Sequence, residues 1–313
     1  MLLASPSPER VAMTAAPTPT PTPAPVPATP LHGRLERRTR LAVAGLLALA
    51  IPNAAFLYGM PGYADTAYAW SIKPAASAAF LGGGYLAGVL ATILTVFVAR
   101  RWRSIQPMAF ALFTLSAGLM AATLLHTDRF RWDYPLTWEW VAIYATVPFG
   151  VVWLTLRQRA RTIRPVLSDP RLNVLRAASG VCGAVLAVYA IILFARPTAL
   201  GDDWPWPLTP LLAQCVATWI GLFATMLLWC AYDLRRTSEA LIPYMTLGAW
   251  CIALMLVPAL HHADVTRSGA PLLIYLGALA VLLALAAHGV AVARRSLRPM
   301  REGSPPGGVL DHI

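Results

Sequence analysis

Two short motifs, His126-Thr-Asp128 and His262-Ala-Asp264, carry the residue types best suited to chemistry in this chain, and they stand 136 residues apart. With the adjacent His261 they supply three imidazoles and two carboxylates. That donor set suits a divalent metal such as zinc, or proton transfer near neutral pH. Zinc bonds nitrogen and oxygen at about 2.0–2.2 Å, so a shared metal requires the chain to bring both motifs to one place. Read structurally, each pair is the polar end of an apolar segment, with Asp128 and Asp264 turning the chain in a wet loop.

A second group is aromatic and charged. Trp70 and Lys73 precede one apolar segment; Asp202, Asp203 and Trp206 precede another, and Glu139 stands between Trp138 and Trp140. Tryptophan belts mark the water interface of membrane proteins generally. The same residues also suit a surface for a lipid headgroup, a sugar or a small organic solute.

What positions these residues is a repeat. Shifting the sequence by 136 residues lays Arg40 on Arg176, Pro61 on Pro197, Trp70 on Trp206, Pro74 on Pro210, Pro107 on Pro243, His126 on His262, Asp128 on Asp264 and Pro135 on Pro271. Leucine and alanine coincide readily in so apolar a chain, whereas matched Trp, Pro, His and Asp in one ungapped register indicate duplication. The expected layout is a Pro/Thr-rich disordered cytoplasmic tail (1–38), repeat one (39–161), a cytoplasmic linker (162–174), repeat two (175–297) and a cytoplasmic tail (298–313). The tail reads as polyproline-biased and not as a cleavable leader.

Hydrophobic residues make up 58% of the 313 and charged residues 12%. Eight apolar stretches, near 41–60, 75–99, 105–125, 137–156, 177–195, 211–232, 241–260 and 271–293, approach the ~20 residues that span a bilayer as helix. Four fall in each repeat. The fold class is therefore all-α: a polytopic membrane protein of eight transmembrane helices in two four-helix repeats. An even number of spans per repeat makes the repeats parallel, related by a pseudo-two-fold axis along the membrane normal.

The net charge of +11 is a matter of placement. Of 25 basic residues, only Lys73, Arg129, Arg131, Arg196 and Arg267 fall on one side of this layout, and the other twenty fall on the other. That asymmetry puts both termini in the cytoplasm of a bacterial plasma membrane, and it excludes nucleic acid as the partner the basic charge would otherwise suggest. Cys182, Cys215, Cys230 and Cys251 all lie in spans of the second repeat without C-x-x-C spacing, as buried thiols do. His288 is the main ionisable residue at depth; coupled transporters usually place carboxylates or amines there.

Trp204-Pro-Trp206-Pro-Leu-Thr-Pro210-Leu resembles a W-P-W-x-L-T-P-L signature of polytopic membrane proteins from high-GC, actinobacteria-like bacteria. The resemblance implies the eight-helix plan and a location, with no activity and no catalytic residue. Three functional classes fit. Duplicated parallel halves favour, by analogy, passive or facilitated handling of a small solute between the halves. An outer-leaflet enzyme or metal- or ligand-binding protein built on the His-x-Asp cluster is the second. The third is a non-catalytic membrane subunit or scaffold.

Overall fold

Proline marks where the long helices begin. Its missing N–H costs nothing in a first turn, whose amides have no intrahelical partner. In the computed structural model, which describes residues 35–159, 169–201 and 203–297, the long helices are α1 (Arg37–Gly59), α2 (Ala75–Phe97), α3 (Gln106–Leu125), α4 (Pro135–Arg159) and α5 (Asn173–Ala195). A short α6 (Pro197–Gly201) precedes α7 (Pro210–Asp233), α8 (Leu241–Leu260) and α9 (Ala270–Leu297). Pro74 is the N-cap of α2, and Pro210 opens α7. Pro107 lies in the first turn of α3 and Pro135 opens α4.

Among the described residues eight helices are long and apolar enough to cross a membrane, and no strand forms. The protein is an all-α, multi-pass membrane protein. The proline-rich tail through residue 34, residues 160–168 of the linker region, the tail from 298 onward and Asp202 lie outside the described residues.

Four helices make the centre. α2 packs on α8, α3 packs on α7, and α2 crosses α7; α1 lies on α2, α5 on α7, α4 on α3 and α9 on α8. α7 is 83% buried over its most apolar window and α1 only 11%, so the core sits on the central helices and the outer ones face lipid. Small residues let the central helices approach, as expected where no hydrophobic effect drives association. A Cβ on Gly83 would lie 3.0 Å from Leu254 of α8, and one on Gly84 would lie 2.5 Å from the Trp219 ring of α7.

The same contacts recur 136 residues apart. Arg40 donates to the Val96 carbonyl at the end of α2 (2.9 Å), and Arg176 donates to the Tyr232 carbonyl at the end of α7 (3.2 Å). A guanidinium at a helix C-terminus satisfies orphan carbonyls and opposes the negative end of the dipole. At the other face the Arg131 amide donates to Ala69 O (2.9 Å) and its guanidinium to Tyr68 O (3.3 Å). Arg267 repeats both bonds, to Pro205 O and Trp204 O, each at 3.1 Å. One ion pair joins residues that are themselves 136 apart: Arg103 Nε meets Glu239 Oε1 at 3.1 Å, with Glu239 almost fully buried. Asp233 completes this cluster, 3.1 Å from the same guanidinium. The face holding Arg40, Arg103 and Arg176 is here the arginine face, and the opposite one the tryptophan face.

Candidate functional site

The two His-x-Asp motifs sit at matching ends of α3 and α8 on the tryptophan face, but they do different things. His126, the C-cap of α3, places Nε2 2.9 Å from Gln214 Oε1 of α7, and Gln214 donates in turn to Phe194 O of α5 (3.0 Å). The residue 136 before Gln214 is Ala78, so His262 has no such partner. Asp264 accepts the Ala76 amide at 2.9 Å and so caps α2 from the other half. α7 needs no equivalent from Asp128, because its own N-cap Thr209 accepts from the Leu212 amide; Lys73 stands at the matching position before α2. Asp128 instead pairs with Arg129 in water.

His261 ends α8, and His262 begins the single 3₁₀ turn after it. Among the described residues no three His, Cys, Asp or Glu side chains come together as a metal would require. The expected shared metal site is not assembled. The two motifs are two different tethers between the halves, because the residues they face differ.

The tryptophans also depart from expectation. Trp70 is 1% exposed and Trp206 0%, so neither is displayed to a headgroup. Trp70 is packed edge-on against Tyr68 and Trp140, with ring centroids 5.2 and 4.6 Å away. Trp206 meets Trp204 and Tyr275 likewise, at 5.6 and 5.5 Å. Buried edge-to-face pairs each add about 0.5–1.5 kcal/mol beyond their area, so these residues fold the loops of the tryptophan face down onto the bundle. Trp206 Nε1 donates to Ser77 of α2 (3.1 Å), whereas Trp70 Nε1 has no partner; the residue 136 after Ser77 is Ala213. Lys73 pairs with Asp65 (2.8 Å); this bond, then that from Ser71, holds the Asp65 carboxyl below its usual range. Asp203 is exposed.

The best-formed opening lies elsewhere. A cavity of about 330 Å³ lies within the first half, with α1 and α4 facing each other across it and α2 and α3 behind. Trp219, Leu222 and Phe223 of α7 close its floor against the second half. Gly88 of α2 opens onto it, with nothing within 4 Å of where a Cβ would stand. Its lining runs along α4 from Leu136 to Leu154, about 27 Å of helix at 1.5 Å per residue. That is most of a hydrocarbon core of about 30 Å.

The walls are mostly apolar; the hydroxyls of Thr92, Thr95, Ser116 and Thr246 bond back to carbonyls of their own helices, and the side chains that bond to one another form a tyrosine chain. Tyr144 of α4 and Tyr85 of α2 share a hydrogen bond at 2.5 Å. Tyr68 interacts with Tyr85 and donates to Asn53 Oδ1 of α1 at 2.6 Å. Burial pushes the Tyr68 phenol well above its ordinary value, so it remains a donor. Glu139 stands exposed at the tryptophan-face end. α1 and α4 are tied at the other end, where Gln158 donates to Thr39 (3.2 Å) and Arg157 approaches Glu36 (3.9 Å). Of the residues singled out from sequence, Glu139 lines this cavity; Tyr85, Tyr144 and Asn53 were missed. A tyrosine or asparagine inside an apolar span was the available signal.

A second opening lies beside α8 and α9. Met108, Leu112, Val147 and Gly150 line the cavity, and the residues 136 later, Tyr244, Gly248, Leu283 and Ala286, line a groove of about 660 Å³ between α8 and α9. Arg294 and Arg295 end that groove at the arginine face. A scan against protein-family models, a search of curated proteins and a search of solved structures each find no match.

Proposed function

We propose that this protein is a duplicated, parallel eight-helix protein of the bacterial plasma membrane, with both termini cytoplasmic, that holds one lipophilic solute in its first half. The observation that carries this reading is the tall apolar cavity between α1 and α4 with the Tyr144–Tyr85–Tyr68–Asn53 chain in its wall. Ligand sites combine mostly apolar linings with a few placed polar groups that fix orientation. Here the apolar length suits a hydrocarbon chain, and the phenols suit a single small head, a hydroxyl or carbonyl. The recurring bonds of Arg40 and Arg176, and of Arg131 and Arg267, support the duplication. The basic residues gathered on one face support the orientation.

Solute handling between the halves, the arrangement expected from sequence, is less well supported. The α2–α7 crossing is filled by Trp219 against Gly84; both stand at the edge of the cavity, most of whose lining comes from α1 to α4. The test is photolabelling of the full-length protein in membranes with a diazirine-bearing long-chain alcohol. Labelled peptides are expected from α1 and α4, suppressed by excess unlabelled alcohol. Tyr144→Phe should weaken labelling about five- to tenfold, the worth of one buried hydrogen bond. Labelling spread over all lipid-facing helices and unaffected by competitor would overturn the reading.

A further inference from the structure

We infer that the groove between α8 and α9 is a binding site for one anionic phospholipid from the leaflet on the arginine face. The groove reaches along α9 from Leu283 to Arg295, about 18 Å of helix. That matches the depth of one leaflet of a hydrocarbon core of about 30 Å together with the start of the headgroup layer. The groove stops near mid-depth, the reach of one acyl chain, and does not cross the whole membrane. Its floor is made of small residues, among them Gly248, Ala287 and Ala291. A Cβ on Gly248 would make no more than ordinary contact, with Ala286 at 3.6 Å and Leu283 at 3.9 Å, so the backbone is open enough for an acyl chain to lie against it.

Charge then selects the head. Arg294 and Arg295 are exposed at the end of the groove, and among the described residues neither pairs with a carboxylate. In the first half the position matching Arg294 is Gln158, which is buried and spent on Thr39. Basic pockets between transmembrane helices at the membrane surface attract anionic headgroups. A zwitterionic lipid would leave both guanidinia without a net counter-charge.

The test uses the full-length protein in mild detergent and native mass spectrometry with phosphatidylglycerol, phosphatidylcholine of matched chains, or glycerol phosphate alone. One phosphatidylglycerol should be retained at least about tenfold over phosphatidylcholine. R294Q/R295Q should erase that preference without shifting the unfolding temperature. Gly248→Leu or Ala287→Leu, which fill the groove, should release both lipids, and glycerol phosphate should not bind. Equal retention of the two lipids by the unaltered protein, a preference that survives R294Q/R295Q, or binding of glycerol phosphate without chains would overturn the inference. So would a dimer of this chain that Gly248→Leu dissolves. Ala91→Leu, on the wall of the first-half cavity, should leave phosphatidylglycerol retention unchanged, so failure of the alcohol site and failure of this one are separable.

Discussion

The first-half cavity and the second-half groove use matching positions on their third and fourth helices, yet one is tall and floored by α7 while the other stops at mid-depth. The difference lies in the second helix of each half. α2 carries Gly84, Gly88 and Ala91 where α7 carries Ile220, Ala224 and Leu227, all three buried. The phenols differ in the same way: Tyr85 and Tyr144 are replaced by Gly221 and Ala280 at the matching positions. The two openings therefore share wall positions and differ in depth and polarity through the residues of their floors. Central helices are free to vary in this way because their contacts are made by whichever residues happen to face each other, one half against the other.

The harshest test of this comparison strikes the junction that makes the halves comparable. Arg103→Glu would set a third carboxylate beside Glu239 and Asp233 in a largely buried cluster, and should cost about 3–5 kcal/mol of stability, read by thermal unfolding in detergent. A negligible change would mean that the halves are not docked through this cluster. Next, G88A/A91L gives α2 the residues of α7. It should cut alcohol labelling at least tenfold while leaving the unfolding temperature unchanged or raised, since added side-chain volume enters an existing void. Labelling that persists would place the ligand outside the cavity. The smallest effect concerns Trp70: Ala213→Ser offers its indole the hydroxyl that Ser77 offers Trp206, and should add about 0.5–1 kcal/mol. A loss of stability would show that the two tryptophans do not occupy equivalent surroundings.

Much of the fold was legible because a bilayer makes hydropathy almost sufficient. The expected spans 241–260 and 105–125 differ from α8 and α3 by at most one residue, and prolines fixed the starts of α2 and α7. The site was much less legible. Trp70 and Trp206 look in sequence like girdle residues because interface tryptophans and buried loop tryptophans share the same flanks; only the partners Tyr68, Trp140 and Tyr275 distinguish them. The paired His-x-Asp motifs suggested one shared site, but a motif does not state what it faces. His126 found Gln214, whose matching position holds Ala78, and Asp264 found the Ala76 amide, whose match at Leu212 is already bonded by Thr209. Tyr85 and Tyr144 meet only because α2 and α4 line the same cavity, which no local pattern announces.

The bond between Arg103 and Glu239 has a consequence for assembly. Arg103 and Glu239 stand 136 residues apart in the chain, and they meet side by side with opposite sign. Were the units separate polypeptides, two copies of the first would set guanidinium against guanidinium, and two copies of the second carboxylate against carboxylate. Only the mixed pair is neutral at its centre. The junction between the two halves is therefore not self-complementary, and each half is fitted to a partner unlike itself.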